Sequence, residues 1–184
     1  MTPDRWRWSP PLREASRGFV PTSQDPPIQQ LVLERDPSGW ALVVATQMMA
    51  ASNRFAVDRV WPVFFQTWPH PHVVMDDFVL GGDDGLLDAM AEVLHPTGCQ
   101  RQKAWRITRM SLEWVGRGYV SRRPDSWARV QDLYGCGPYT GESWRLFVQG
   151  DLSARYEDSV VEAWAQLARD GKLSADLMPG RTAS

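Results

Sequence analysis

The stretch that decides the fold reads Leu133-Tyr134-Gly135-Cys136-Gly137-Pro138-Tyr139-Thr140-Gly141, and Asp158 follows nineteen residues after Tyr139. Helical patterns flank it on both sides, so it predicts a hairpin between two helices. The glycines permit a tight turn and a close approach of the backbone to an anion, because they carry no Cβ. Backbone N–H groups at the start of the second helix favour a phosphate oxygen. An acid at the next helix start can then face a sugar held beside that phosphate.

Composition narrows the class of protein. The chain has 184 residues, of which 43% are hydrophobic and 23% charged, as expected for one soluble globular domain with a real core. No apolar run approaches the roughly 20 residues of a membrane helix, and the start lacks the pattern of a secretory signal. Cys99 and Cys136 are too few for a disulfide framework, a zinc site or an iron–sulfur cluster. We therefore expect a cytoplasmic protein without membrane contact.

The charge is unevenly distributed although the formal net charge is only −2. Residues 76–92 contain six acids and no Lys or Arg, whereas residues 101–129 contain eight basic residues against two acids. Binding responds to the local field over about 8–10 Å, so a basic region beside an acidic one can still hold a phosphate chain. The alternative is that these charges are solvated helix faces. Their position next to the hairpin favours the functional interpretation.

Apolar periodicity predicts an all-α fold, because no stretch shows sustained two-residue alternation. The predicted helices begin at Ile28 and continue over residues 40–51, 56–68, 85–94, 100–115, 126–132, 138–148 and 158–171. The helix at 40–51 is apolar nearly all round and is therefore predicted to be buried, with Gln47 as a core amide or a pocket residue. In the helix at 100–115 we expect the inward residues to be Trp105, Thr108, Leu112 and Val115.

Two segments are predicted to lie outside the helical domain. Residues 1–27 have no helical or strand period and are expected to be an irregular arm, and residues 173–184 a loose C-terminal tail. His70 and His72 stand in a proline-rich loop without a third partner, so we expect no metal site there.

The hairpin stretch followed by Asp158 resembles the helix-hairpin-helix DNA glycosylases, and most of all the mismatch-specific thymine/uracil glycosylases attached to methyl-CpG-binding proteins. The similarity covers about residues 28–168. It includes three further stretches, namely Leu94 to Ala104, Trp40 to Thr46 and Trp61 to Phe64.

The resemblance implies a two-lobed fold over residues 28–172 with the active site in the cleft between lobes. One lobe, a helical barrel, would take about residues 40–148, and the other would combine 28–39 with 149–172. No cysteine follows the last helix, so no iron–sulfur cluster is expected. The resemblance implies no cofactor and leaves room for a monovalent or divalent cation at the hairpin.

The resemblance also implies a mechanism. Relatives that cut the strand carry a Lys two positions after the second hairpin glycine, where this chain has Tyr139, which cannot act as an amine nucleophile. We therefore expect a monofunctional enzyme without lyase activity that leaves an abasic site. Asp158 matches the family's catalytic acid, whose carboxylate stabilises positive charge on the sugar or activates water. The structural alternative is a simple helix cap, and Glu157 and Asp151 are weaker rivals.

The remaining candidates follow the same resemblance. Besides Gly135 and Gly137, Thr140, Arg54 and Arg101 are expected to contact DNA. Arg54 is also the candidate wedge that fills the gap left by a flipped base, although alignment on the upstream buried helix puts Ala51 there. Gln47 is the candidate for the base pocket, with Tyr139 beside it.

We therefore expect a monomeric enzyme that acts on double-stranded DNA, at the nucleoid in a cell. It would flip a damaged, mismatched or modified thymine- or uracil-type base, opposite guanine, and hydrolyse its N-glycosidic bond. Two alternatives stay open: a transferase that modifies the flipped pyrimidine on the same scaffold, and a non-catalytic DNA-binding module.

Overall fold

Helices form the regular structure of the computed structural model, which describes residues 19–36 and 38–180. Eight α-helices are found in these ranges: α1 Ile28–Arg35, α2 Trp40–Met49, α3 Arg54–Thr67, α4 Pro71–Leu94, α5 Gln100–Gly116, α6 Trp127–Gln131, α7 Pro138–Ser143 and α8 Ser159–Arg169. Short 3-10 turns stand at His95–Thr97 and Ala175–Leu177, and a π-helical turn at Trp144–Val148. The described ranges contain no β-strand, only an isolated bridge between Thr22 and Asp25. The all-α prediction is confirmed.

Helix α2 occupies the centre, as its apolar sequence predicts. Residues 40–48 are all buried. The Trp40 indole packs edge-on against Phe65 with ring centroids 5.7 Å apart, and its Nε1 donates to Ser111 Oγ at 3.0 Å. The side chains of α1, α2 and α8 belong to one core cluster. The two-lobed arrangement stays a prediction.

Helix α4 differs from the prediction of a short helix over residues 85–94. It begins at Pro71, and two helical segments meet at Gly82, whose φ of 68° and ψ of 172° are not helical. The prolines at 69 and 71 do stop α3, but Pro71 also suits the first turn of a new helix because its missing N–H is unpaired there anyway. Exposed Val79 and Leu80 obscured the amphipathic pattern of the first segment.

The buried face of α5 was predicted wrongly in part. Thr108 is buried, but Trp105, Leu112 and Val115 are only half-buried. The residues that face the core are Lys103, Ala104, Ile107, Thr108, Met110, Ser111 and Trp114. Lys103 is buried because its Nζ donates to the carbonyls of Met48 at 2.9 Å and Thr97 at 2.8 Å. Desolvation lowers the pKa of this ammonium group.

The C-terminal segment packs on the domain up to residue 180, contrary to the predicted loose tail. Leu173 is buried, and Gly180 N donates to Phe147 O at 3.0 Å. Gly180 also lies against Gly150, where an added Cβ would come within 2.8 Å of the Gly150 Cα. Residues 181–184 of the predicted tail, and 1–18 of the predicted arm, lie outside the described ranges. No helix in the described part of the chain is long and apolar enough to cross a membrane.

Candidate active site at the hairpin

The hairpin joins α6 to α7 through a turn that requires only one of its two glycines. Gly135 has φ +71°, and a Cβ there would lie 3.0 Å from Arg106 Cγ. Gly137 is extended with φ −149°, and a Cβ there would meet nothing within 4 Å. The turn is closed by Cys136 N donating to Leu133 O at 3.0 Å. Gly135 therefore shapes the turn, whereas nothing in the described surroundings of Gly137 requires a glycine at that position.

The inner side of the hairpin rests on α2. Gln47 Nε2 donates to Cys136 Sγ at 3.3 Å, and the hydroxyls of Thr46 and Thr140 are 2.9 Å apart. Burial raises the pKa of Cys136 to about 12, so its thiol stays neutral. Both Gln47 and Thr140 are buried. The Thr140 side chain is thus directed inward in this state, and a contact from this position to DNA would use its backbone.

Tyr139 lies between the hairpin and α1. Its hydroxyl accepts a hydrogen bond from Gln29 Nε2 at 2.7 Å, and the same Nε2 is 3.5 Å from Ser143 Oγ. Burial raises the pKa of Tyr139 well above its usual range, and the nearby charge of Asp158 raises it further. The tyrosine and the acid therefore share one neighbourhood, with the phenol held neutral.

Asp158 caps α8. Its Oδ1 accepts from Val160 N and Val161 N, both at 2.9 Å. The capping interpretation is therefore confirmed, and only one of the two carboxylate oxygens takes these bonds. The side chain is half-buried, next to an exposed Glu157.

Glu142 of α7 connects the hairpin helix to the turn that carries Asp158. Its Oε1 accepts from Glu157 N at 2.9 Å and its Oε2 from Asp158 N at 3.2 Å. The hairpin and the acid are thus joined by one carboxylate. Sequence reasoning missed both Glu142 and Gln29. For Glu142 there was no signal to find, because a single acid in a short helix produces no periodic pattern.

The other amide of α1 is also buried. Gln30 is almost fully enclosed, and its Oε1 accepts no hydrogen bond within the described part of the chain. An enclosed acceptor without a donor is costly and needs an explanation. The pair Gln29-Gln30 on a buried face was the sequence signal that could have marked α1 as part of the site.

Asp151, a rival to Asp158, has a structural role. It accepts from Arg145 Nε at 2.6 Å and from both the N and the Oγ of Ser153, at 2.9 and 2.6 Å. The hydrogen bonds from Ser153 and Arg145 lower the pKa of Asp151 to about 2. These bonds shape the connection that leads to Asp158.

Arg54 is enclosed, at 5% exposure. Its Nε donates to Asp58 Oδ1 at 2.6 Å and its Nη1 to Pro26 O at 2.9 Å, while its Cζ lies 4.8 Å from the centre of the Phe19 ring. Burial raises the pKa of Asp58 despite the opposing Arg54 charge. As a wedge Arg54 would have to leave these partners. Ala51, the alternative position, is exposed with φ 53°.

Arg101, the last predicted DNA contact, is exposed and pairs with Asp88 at 2.8 Å. A cleft of about 190 Å³ opens between α6 and α7. Its lining residues are Trp127, Gln131, Pro138, Gly141, Glu142, Arg145 and Glu157. Neither Tyr139 nor Asp158 is among them, so this cleft is not the base pocket that the predicted chemistry needs. Within the described residues, no group of three or more metal-binding side chains occurs.

No protein-family model matches this chain, and a search of curated proteins finds no similar sequence.

Proposed function

We propose that the protein is a monofunctional DNA glycosylase that removes a thymine- or uracil-type base from duplex DNA. Asp158 acts as the catalytic acid and the hairpin at Gly135–Gly137 holds a phosphate. The observation that carries the proposal is Glu142, whose carboxylate binds the backbone N–H groups of both Glu157 and Asp158. This contact keeps the acid at a constant position relative to α7, as cleavage beside a bound phosphate requires.

The chemistry follows from the carboxylate. Loss of the base builds positive charge on the deoxyribose, and a fixed negative group near C1′ stabilises it or takes a proton from the attacking water. Because Oδ1 accepts the two N–H groups of α8, Oδ2 is the oxygen available to sugar or water. The neutral phenol of Tyr139 offers no amine, so no Schiff base with the sugar forms.

Buried amides supply polar groups for a flipped pyrimidine. The unpartnered Gln30 Oε1 can accept from a base N–H, and Gln29 already holds Tyr139 in place. Gln47 donates a hydrogen bond to Cys136 on the inner side of the hairpin. A flipped base would find these groups only if the pocket opens, since all three amides are now buried.

The test separates the charge of Asp158 from its capping role. Asn caps helices as well as Asp, so Asp158→Asn retains the acceptor for Val160 and Val161 while removing the charge. The wild type is first screened on duplexes with T·G, U·G, hydroxymethyluracil and alkylated bases, and strand breaks are read after alkali. On the best substrate we expect Asp158→Asn to lose about 10²–10⁴-fold in single-turnover base release with DNA affinity unchanged.

Asp170→Asn is the matched control, because this residue is exposed at the other end of α8 and loses the same charge. It should leave base release unchanged. Breaks that appear without alkali, or a borohydride-trapped adduct, would contradict the monofunctional mechanism. A heavier, intact base would indicate the transferase. Equal base release by Asp158→Asn and wild type would exclude the catalytic role of the acid.

A further inference from the structure

The outer face of α5 carries an arginine that lies over two aromatic rings. The Cζ of Arg109 lies 5.5 Å from the centre of the Trp105 ring and 5.8 Å from that of Tyr134 in the hairpin. The two rings are themselves joined, since Trp105 Nε1 donates to Tyr134 OH at 3.0 Å. Tyr134 is 40% exposed. This group, with its neighbour Arg106, is called the α5 stack below.

The arginines of the α5 stack differ from the other arginines nearby. Neither Arg106 nor Arg109 forms an ion pair or hydrogen bond from its guanidinium within the described residues. By contrast, Arg101, Arg117 and Arg129 each pair with a carboxylate. Two guanidinium groups without a carboxylate partner in the described part of the chain, those of Arg106 and Arg109, thus lie beside the hairpin.

Glu113 is the acid expected to neutralise them, but it is already engaged. Its Oε2 accepts from Tyr134 N at 3.0 Å and from Arg117 Nη2 at 3.5 Å. Arg106, in turn, lies against the hairpin backbone, because a Cβ at Gly135 would meet its Cβ, Cγ and Cδ at 3.0–3.2 Å. The fold therefore holds two guanidinium groups beside the turn and leaves their N–H donors available.

We infer that the α5 stack is a contact surface for the DNA phosphodiester backbone, with Arg109 as its phosphate ligand. A guanidinium stacked on rings keeps its planar set of donors and loses less freedom when it binds, so it is prepared for a phosphate. The inference rests on the DNA-binding part of the proposed function, not on catalysis by Asp158. It adds a side-chain contact to the backbone contact of the hairpin.

Salt dependence of binding tests this inference. The probe is a fluorescent duplex with one U·G pair, and the dissociation constant is measured between about 50 and 200 mM salt. Because each phosphate contact contributes about 0.9 to the slope of log K against log salt, Arg109→Gln should reduce that slope by about 1. Affinity at the lowest salt should fall about tenfold. Arg109→Lys retains the charge but not the planar stack, so it should retain the slope and lose part of the affinity.

Arg129→Gln is the matched control, an exposed arginine of the same basic stretch that pairs with Asp125. It should change neither slope nor affinity by more than about twofold.

The measurements distinguish a failure of the DNA-contact inference from a failure of the proposed glycosylase activity. If the wild type does not bind duplex DNA, or if Arg109→Gln and Arg129→Gln have the wild-type slope, the inference is overturned. If poly-glutamate binds with the same affinity and the same salt slope as duplex DNA, the inference is also overturned, because the surface would then bind any polyanion. If the wild type binds DNA and Arg109→Gln loses one contact, but no substrate loses its base, the inference stands and the proposed glycosylase activity fails.

Discussion

Arg54 and Arg109 are the same residue type in two opposite environments. Arg54 is enclosed at the start of α3, with Asp58, Pro26 and the Phe19 ring around its guanidinium. Arg109 lies on the outer face of α5 over two rings, with no carboxylate partner in the described residues. An arginine's formal charge therefore does not reveal whether it stabilises the fold or is available to a ligand. Stability and DNA affinity should therefore respond to different arginines.

Substitution of Arg54 should change stability more than any other substitution considered for this pair of environments. Arg54→Met leaves the buried Asp58 carboxylate without its partner and should lower the free energy of unfolding by about 3–5 kcal/mol. Arg109→Met removes an exposed stack and should cost about 1 kcal/mol or less. Urea unfolding of both variants measures the two values. Losses of equal size would contradict the contrast between the two environments.

A smaller effect is expected in the interaction energy between the two members of an ion pair. A double-mutant cycle on Arg54 and Asp58 should give an interaction of about 1–3 kcal/mol. The same cycle on Arg101 and Asp88, whose side chains are 69% and 67% exposed, should give about 0.2–1 kcal/mol because water screens the pair. A coupling for Arg101 and Asp88 as strong as that of the buried pair would show that burial is not the deciding variable.

The smallest effect is a difference in pH dependence between two carboxylates. The pKa of Asp151 is lowered to about 2, so its contribution to stability is present above the unfolded-state pKa of about 3.9 and lost as pH falls through about 2. The pKa of Asp58 is raised by burial, so its contribution is present below about 3.9 and lost as pH rises through the folded-state pKa.

As the pH rises from about 2 to 5, the free energy of unfolding of the wild type minus that of Asp151→Asn should therefore increase. The same difference taken against Asp58→Asn should decrease. For the partly exposed Asp151 this change in the free energy of unfolding should be about 1 kcal/mol or less. Chemical unfolding at several pH values measures both differences. Parallel trends would contradict the opposite environments of the two carboxylates.

Much of the fold follows from apolar spacing, and what fails does so for local reasons. The all-α class, buried α2 and the helix after Asp158 were predictable, because long periodic runs and a capping residue carry a strong local signal. The first segment of α4 was missed because Pro71 both ends and begins a helix. Lys103 was missed because its burial depends on carbonyls that only the folded chain brings together.

In the candidate site, too, features set by residues close in sequence were predictable and long-range contacts were not. The turn at Gly135 and the cap at Asp158 depend on residues close in sequence and were predictable. The contacts of Tyr139 with Gln29, and of Glu142 with the Asp158 turn, span 110 and 16 residues. No local pattern encodes such pairs. The enclosure of Arg54 likewise depends on the chain near residues 19–26, far from it in sequence.

The contact between Glu142 and the Asp158 turn has a consequence for how this chain can vary. Because Glu142 binds the backbone of the Asp158 turn directly, the position of the acid relative to α7 is not set by the connection over residues 149–156 alone. We expect insertions or deletions there to be tolerated only where the two N–H groups still reach Glu142 and Asp151 is not displaced from Arg145. In natural variants we therefore expect the pairing of one glutamate with one turn to be kept, whereas the number of residues between hairpin and acid can change.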